Sequence, residues 1–290
     1  MNVQGGGAVV TGGASGIGRA IALELGRRGC AVAVADIDGA AATQVAKEVA
    51  ALGVTATGHA CDVTESGAIE ALAEAAASEL PRVNLLFNNA GVGAPSPLLE
   101  GSADDLRWIL EVNLVGVWKG CAVFGKHFVA QGEPAWICNT GSEHSLGLAH
   151  VGMGFYSASK AALLGLSDVL RGELPDHVGV SLACPGMVDT GLWNATRHRP
   201  DRFGGAGDAD AFSGKVQAHG MEAGPIGARI VDGVEAGAPI IVTHSQARRY
   251  AEARWNQIRE AFDAQAPYRE EDERYDVTGV IGRLLSGDAS

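Results

Sequence analysis

The chain has 290 residues, a net charge of −12, 47% hydrophobic residues and 19% charged residues. This length suits one large domain or two small ones, and the hydrophobic share argues against a disordered protein. The surplus of acidic residues, with no run of basic ones, argues against nucleic acid as a partner.

Short apolar runs alternate with helix-like segments along most of the chain. Buried strands are predicted at 7–10, 31–36, 55–60, 83–88, 136–140, 178–183 and 239–243. Apolar residues at helical spacing predict helices at 17–28, 40–52, 69–80, 106–131 and 156–174. This alternation predicts an α/β fold with one doubly wound, parallel, seven-stranded sheet and helices on both faces.

Two segments interrupt this alternation. Residues 189–220 are rich in Gly, Asp, His and Arg and are longer than an ordinary connection, which predicts a lid over a binding site. Residues 245–264 predict a C-terminal helix, and residues 265–290 form a charged tail. We therefore expect a single domain over residues 1–264, followed by the tail.

Neither targeting nor metal-binding signals are evident. Met1–Gly7 lacks the basic and apolar regions of a signal peptide, and no uninterrupted apolar stretch reaches about 18 residues, so we expect a cytoplasmic protein without a membrane partner. His198, His219 and His244 lack the spacing of metal ligands. The cysteines form no C-x-x-C pair, which predicts buried, reduced thiols at Cys30, Cys61, Cys121, Cys138 and Cys184.

A glycine-rich loop, TGGASGIG at 11–18, connects the first predicted strand to the first predicted helix. Gly12, Gly16 and Gly18 would permit a tight turn and a close approach to a pyrophosphate, which the helix N-terminus would bind. A turn without a ligand and a methyltransferase loop are the alternatives. Asp36 ends the second strand, where its carboxylate can accept hydrogen bonds from ribose hydroxyls and would repel a 2′-phosphate. If Asp36 does more than end a strand, the pattern favours NAD over NADP.

Further motifs follow in a fixed order. Cys61-Asp62-Val63 follows the third strand, Asn88-Asn89-Ala90-Gly91 the fourth, Tyr156-Ser157-Ala158-Ser159-Lys160 begins a helix, and Pro185–Thr190 follows the sixth strand. Together with the glycine loop, they resemble the short-chain dehydrogenase/reductase family over about residues 5–243.

The resemblance implies a Rossmann-type fold and a catalytic tetrad of Asn113, Ser142, Tyr156 and Lys160. It also implies cofactor contacts from Gly12, Ser15, Gly16, Ile17, Gly18, Asp36, Ile37, Asp62, Val63, Asn89, Ala90, Gly91, Tyr156, Lys160, Pro185, Gly186, Val188 and Thr190.

The residue types in the tetrad suit proton and hydride transfer. Tyr156 and Lys160 are four residues apart and share one helix face. An ammonium group and an oxidised nicotinamide both favour the phenolate, so Tyr156 can accept a proton. Ser142 can stabilise the substrate oxygen, with Ser145 as its rival. Asn113 interrupts a helical stretch, either as a kink stabilised by its side chain or, by resemblance, through a water linked to Lys160.

These observations predict an NAD-dependent oxidoreductase that interconverts a secondary alcohol and a ketone. A serine hydrolase is disfavoured because the segment 141–145 lacks the second glycine of G-x-S-x-G. If the family's loop positions carry over, an apolar and aromatic substrate pocket is formed by His144, Leu146, Phe155, Met187, Leu192 and Trp193. We therefore expect a hydrophobic or aryl substrate.

Three alternative functions remain open, and the sequence also predicts that the protein forms an oligomer. The same tetrad could serve a hydroxysteroid or a cis-dihydrodiol, whereas an NAD-binding regulatory protein should have lost Tyr156 or Lys160. The helices at 106–131 and 156–174 carry apolar residues on more than one face, including Trp118, Phe124 and Leu166, which predicts a homo-oligomer, either tetramer or dimer.

Overall fold

The computed structural model describes residues 1–286, which fall into two compact units, Met1–Ala247 and a second one that begins at Arg248. The first unit contains seven parallel strands in the order β3-β2-β1-β4-β5-β6-β7. They are β1 Gly7–Thr11, β2 Ala31–Asp36, β3 Ala56–Ala60, β4 Leu85–Asn88, β5 Ala135–Thr140, β6 Val178–Cys184 and β7 Ile240–Val242. The predicted parallel, seven-stranded α/β sheet is confirmed.

Small and β-branched side chains let both faces of this sheet be covered. In β1, Val9 packs into the core on one face, while Ala8 and Val10 pack into the core on the other. All five β1 residues are buried, which explains why the strand reads as a continuous apolar run.

Helices cover both faces of the sheet. The first unit contains α1 Gly16–Arg27, α2 Gly39–Ala50, α3 Ala68–Glu79, α4 Ala103–Leu110, α5 Val117–Gln131, α6 Gly154–Glu173, α7 Ala211–Gln217 and α8 Ala223–Glu235. The sequence analysis named no helix at α7 or α8. Asp210 caps α7 by accepting hydrogen bonds from the backbone N–H groups of Phe212 and Ser213, so its boundary is set by local chemistry.

The predicted helix at 106–131 is divided into α4, a π-helical turn at Glu111–Gly116, and α5. By length and composition the run Ala103–Gln131 could span a membrane, but half of its most apolar stretch is buried within the fold. Trp108, Ile109 and Phe124 lie in the core cluster. This burial explains the apolar composition of the run.

The second unit contains α9 Arg248–Gln265, a short 3-10 turn at Glu270–Tyr275 and α10 Val277–Ser286. The predicted C-terminal helix therefore begins at Arg248, after a 3-10 turn at Ser245–Ala247, and belongs to the second unit instead of the first. The predicted tail contains α10, because Asp276 accepts a hydrogen bond from the Gly279 N–H and apolar residues recur at helical spacing. Residues 287–290 of that tail lie outside the described residues.

The topology places a crevice at the carboxyl ends of the strands. Strand order runs outward from β1 through β2 and β3 on one side and from β4 through β5 to β7 on the other. Connections leaving β1 and β4 therefore diverge, and ligands of such sheets bind in the crevice at this switch point.

Candidate active site

The glycine loop forms a cradle that side chains would fill. Gly12 and Gly16 have positive φ angles of 62° and 51°, which favour glycine. A Cβ atom at Gly18 would lie 2.1 Å from the carbonyl oxygen of Gly12. At the N-terminus of α1, the Ser15 side chain makes no capping hydrogen bond, so the N–H groups of the first turn can bind an anion. The cradle suits a pyrophosphate.

Hydrogen bonds join this cradle to the connection that follows β4. The Thr11 hydroxyl oxygen accepts hydrogen bonds from the backbone N–H groups of Asn89 and Ala90, each at 3.1 Å. The Asn89 side-chain amide donates to the Gly12 carbonyl at 3.1 Å. These contacts hold together the two loops that flank the switch point.

Two carboxylates, Asp36 and Asp62, also border the crevice. Asp36 Oδ2 accepts a hydrogen bond from the Ala14 N–H at 3.0 Å, and Asp36 Oδ1 accepts one from the Asp38 N–H at 3.1 Å. Asp62 Oδ1 accepts from the backbone N–H of Thr64 at 2.9 Å. Both carboxylates therefore lie in a fixed position at the cavity wall.

A cavity of about 810 Å³ runs along this edge of the sheet. Of the residues predicted to contact the cofactor, all except Gly18 line it. Gly18 is buried against Gly12, where it permits the close approach of α1 to the loop. Its position explains why the glycine is needed although it is not exposed to the cavity.

Ser142, Tyr156 and Lys160 converge on the cavity from two elements. Ser142 follows β5 and lines the cavity, where its hydroxyl acts to lower the pKa of Tyr156. Tyr156 and Lys160 lie in α6, with the Lys160 Nζ atom 5.8 Å from the centroid of the Tyr156 ring. Lys160 Nζ donates to the Thr140 carbonyl at 2.8 Å. The predicted convergence of these three side chains is present in the structure.

Asn113 lies behind this group, fully buried in the π-helical turn. Its side-chain oxygen accepts from the Val92 N–H at 2.8 Å, and its amide donates to the Val92 carbonyl at 2.9 Å and to the Ser159 hydroxyl at 3.1 Å. The side chain therefore anchors the segment after β4. Ser145, the predicted rival of Ser142, is turned away: its hydroxyl donates to the Lys160 backbone carbonyl at 2.6 Å.

Burial determines the protonation of the two reactive side chains. It raises the pKa of Tyr156 above its ordinary value of 10.0, with a contribution from the Glu143 charge, although the hydrogen bond to Ser142 acts in the opposite direction. It lowers the pKa of Lys160 from 10.5 to about 8. In the protein alone Tyr156 is thus a neutral phenol. The sequence-based expectation of a favoured phenolate therefore needs the positive charge of an oxidised cofactor.

The segment after β6 is held by a buried histidine that the sequence analysis considered only as a metal ligand. His244 Nδ1 accepts a hydrogen bond from the Gly186 N–H at 3.0 Å, and Nε2 is 3.0 Å from the Met187 carbonyl. The Nε2 nitrogen must therefore carry the proton. Further along, Thr190 lies against the glycine cradle, because a Cβ at Gly16 would be 3.0 Å from its methyl carbon. Only the tertiary contacts identify His244 as the residue that supports this loop.

The substrate side of the cavity differs in part from the predicted pocket. His144, Met187 and Leu192 line it. Leu146, Phe155 and Trp193 are not among the described residues that do so. Leu146 and Phe155 pack with the core, and the Trp193 ring faces α7, 3.1 Å from the position of a Cβ at Gly214. The sequence analysis assigned these three side chains to the pocket because sequence spacing does not show which face of a short turn meets the core.

Helix α7 and the loop before α6 supply further lining residues that the prediction lacked. Phe212, Val216 and Gln217 line the cavity from α7, and Val151 does so from the loop. The Asp210 cap followed by the apolar Phe212 and Val216 was the only sequence signal for α7. This pattern predicts a helix at α7 but does not indicate that the helix contacts the cavity.

The predicted lid, 189–220, is fastened in its middle. Arg199 forms a 2.6 Å ion pair with Asp105, and its guanidinium lies 5.2 Å from the Trp108 ring centroid. Arg202 pairs with Glu65 and, at 3.4 Å, with Asp62. Phe203 is buried in the core. These ion pairs and core contacts therefore hold residues 199–203, whereas α7 lies beyond them in the segment.

Comparisons with known proteins give a consistent result. The profile of the short chain dehydrogenase family matches residues 7–201. The C alpha-dehydrogenase of Sphingobium sp. is 32% identical over 276 residues, which cover 92% of this chain and 88% of that protein. A short chain dehydrogenase/reductase from Burkholderia phymatum, crystallised in complex with NAD, has a TM-score of 0.84 and 32% identity, covering 93% of this chain and 99% of that one.

A third relative matches only in part. "Probable oxidoreductase EphD" of Mycobacterium tuberculosis is 39% identical over 185 residues, which are 63% of this chain and 31% of that protein. The chain thus spans about a third of the length of this relative.

Proposed function

This chain belongs to the short chain dehydrogenase family of oxidoreductases, and we propose that it uses NAD to interconvert a secondary alcohol and a ketone. The observation on which this proposal depends is that Ser142, Tyr156 and Lys160 line the same cavity as the glycine cradle. Because one cavity holds both, a carbinol at the hydroxyls lies next to a dinucleotide in the cradle.

The cradle and the two carboxylates support NAD as the cofactor. Backbone N–H groups at the start of α1 bind the pyrophosphate, and Asp36 accepts hydrogen bonds from the adenosine ribose. Asp62 would contact the adenine, and Thr190 would hold the carboxamide of the nicotinamide. A 2′-phosphate would be repelled by Asp36. An oxidised nicotinamide bound there would supply the acceptor for the hydride of the carbinol carbon.

The chain's own side chains handle the proton. The Tyr156 phenolate accepts the proton of the carbinol hydroxyl, and the Ser142 hydroxyl donates a hydrogen bond to the same substrate oxygen. The Lys160 ammonium lies close enough to the Tyr156 ring to favour the phenolate. Asn113 holds the Val92 segment and links Lys160 to solvent through a water. In the reverse direction Tyr156 returns the proton.

The substrate half of the cavity favours a hydrophobic or aryl alcohol. Met187 and Leu192 line it with apolar surface, joined by Val151 and by Phe212 and Val216 of α7. Phe212 and Val151 are largely exposed at its entrance, with 74% and 95% of their surface accessible. An apolar substrate would cover these side chains and remove their apolar surface from water, which favours its binding.

The proposal also covers the assembly of the protein and its location in the cell. Trp118 of α5 and Val169 of α6 are exposed by 56% and 61%, which supports a homo-oligomer built on these two helices. Phe124, by contrast, is in the core and Leu166 packs against it. We place the protein in the cytoplasm, where NAD and a reducing environment for its five buried thiols are both present.

Absorbance of NADH at 340 nm tests the proposal with the purified chain, NAD or NADP, and a panel of aryl, steroid and alicyclic alcohols. We expect turnover of an apolar secondary alcohol with NAD, and a loss of kcat by several orders of magnitude in Tyr156→Phe with NAD still bound. The exposed Tyr268→Phe serves as a matched control in the second unit. Activity of Tyr156→Phe within about tenfold of the parent contradicts the proton transfer. Binding of NAD without turnover of any alcohol favours a regulatory protein.

A further inference from the structure

His144 lies in the cavity beside the side chains of Ser142 and Tyr156. It lies two residues after Ser142 in the 3-10 turn Glu143–Leu146 and lines the cavity. Its ring meets the Tyr156 ring edge to face, with 5.1 Å between centroids, and is stacked on His150 with 6.0 Å between centroids. The imidazole is thus held between the proton-transferring residue and the cavity wall.

Hydrogen bonds fix the orientation of this ring. Nδ1 lies 2.8 Å from the Ser157 hydroxyl oxygen, and the backbone N–H donates to the Ser142 hydroxyl at 3.3 Å. Only 9% of His144 is exposed, so its accessible surface is the part that meets the cavity. Within the described residues Nε2 has no hydrogen-bond partner, which leaves this nitrogen for a ligand.

The chemistry of this nitrogen narrows the ligand. Burial, followed by the nearby His150 and Lys160, lowers the pKa of His144 to about 4, so the imidazole is neutral at physiological pH. A neutral ring offers no ion pair to a carboxylate or phosphate. Ser157 can either donate to Nδ1 or accept from it, so Nε2 can act as acceptor or donor. A hydroxyl, which also does both, matches either tautomer.

We propose that His144 Nε2 binds a second, uncharged oxygen of the substrate, a hydroxyl within a few bonds of the carbinol that is oxidised. The inference rests on the proposed function, because it places the carbinol at Ser142 and Tyr156. Contact between the His144 and Tyr156 rings limits how far apart the two substrate oxygens can be. The preferred substrates are then diols or more highly hydroxylated alcohols with an apolar or aryl portion, and His144 is the residue that selects them.

Paired substrates isolate this interaction. The assay compares kcat/KM, at fixed NAD, for 1-phenylpropane-1,3-diol and 1-phenylethane-1,2-diol with the values for the corresponding mono-alcohols, 1-phenylpropan-1-ol and 1-phenylethanol. We expect the parent to prefer at least one diol by about tenfold or more, since a buried polar group left unpaired penalises the substrate that lacks its partner.

Variants of His144 and Ser157 distinguish direct contact with the substrate from positioning of the imidazole ring. His144→Phe keeps a ring beside Tyr156 but has no nitrogen, and should remove the preference by lowering kcat/KM for the diol more than for the mono-alcohol, mainly through a higher KM for the diol. His144→Gln retains a polar group and should restore part of the preference. Ser157→Ala releases Nδ1 and should reduce the preference less than His144→Phe. His127→Phe on α5, whose ring bonds to Gln131, is the matched control and should leave the preference unchanged.

The outcomes distinguish this inference from the proposed function. A parent that oxidises the mono-alcohols but shows no diol preference contradicts the inference alone, as does an equal loss for both substrates in His144→Phe. A parent that binds NAD and oxidises none of the four alcohols contradicts the proposed function for this substrate class and the inference with it. Circular dichroism of each variant checks that the fold is intact.

Discussion

Replacing Lys160 by methionine should abolish activity and yet stabilise the fold. The Lys160 ammonium is buried, with 3% of the residue exposed, and it donates a hydrogen bond to the Thr140 carbonyl at 2.8 Å. Methionine has a similar volume and an apolar end, so it can fill the same space without a charge. Enzymes commonly hold such destabilising groups where the chemistry requires them.

The lowered pKa of Lys160 determines how much Lys160→Met should stabilise the fold. At pH 7, a shift from 10.5 to about 8 makes the native state less stable by about 3 kcal/mol than it would be with an unshifted lysine. Lys160→Met removes this cost but leaves the Thr140 carbonyl without its donor, which costs about 1–2 kcal/mol. The net expectation is a gain of about 1–2 kcal/mol in the free energy of unfolding.

The sign of the pH dependence follows from proton binding. Between pH 8 and 10.5 the unfolded chain binds a proton that native Lys160 has lost, so this group makes the parent more stable as pH rises. At pH 9.5 the cost should have fallen to about 1.4 kcal/mol. The advantage of Lys160→Met should therefore shrink by about 2 kcal/mol between pH 7 and pH 9.5.

Urea unfolding followed by circular dichroism at both pH values measures this difference directly. The exposed Lys126→Met on α5 is the matched control, and its difference from the parent should not change with pH. The reasoning is refuted if Lys160→Met is less stable than the parent at pH 7, or if the difference between the two is the same at both pH values. A fall in NADH production accompanies the gain in stability.

Three further predictions follow from contacts in the first unit. Trp193→Ala should raise KM for large and small substrates alike, since the ring supports α7 at Gly214 and does not line the cavity; an effect confined to bulky substrates would contradict this, and the exposed Trp255→Ala is the control. Gly18→Ala should weaken NAD binding by at least tenfold in a fluorescence titration, because its Cβ would meet the Gly12 carbonyl, and unchanged affinity would refute the close approach. Light scattering at micromolar concentration should show a dimer or tetramer, and a monomer would exclude assembly through α5 and α6.

Features that depend on neighbours in sequence were predictable. The Gly12–Gly18 loop was recognised because the conformations it needs are local, as its two positive φ angles show. Burial on both faces made central strands such as β1 recognisable as apolar runs, and the spacing of Tyr156 and Lys160 placed them on one helix face. In each case backbone geometry or a repeat of a few residues carries the information.

Features that depend on distant contacts required the tertiary structure. Phe155 and Trp193 are as apolar as Leu192, but only Leu192 meets the cavity, because packing against the core and against α7 decides which way each side chain turns. The support of Gly186 by His244 joins residues 58 positions apart. The pKa of Tyr156 likewise reflects burial that spacing does not show. The sequence by itself determined the order of the seven strands along the chain, the residues of the glycine loop and the helix that carries Tyr156 and Lys160, since these follow from local conformation and periodicity. The tertiary structure alone decided which side chains share the cavity and how they are protonated, because those properties arise from desolvation and from contacts between segments far apart in the chain.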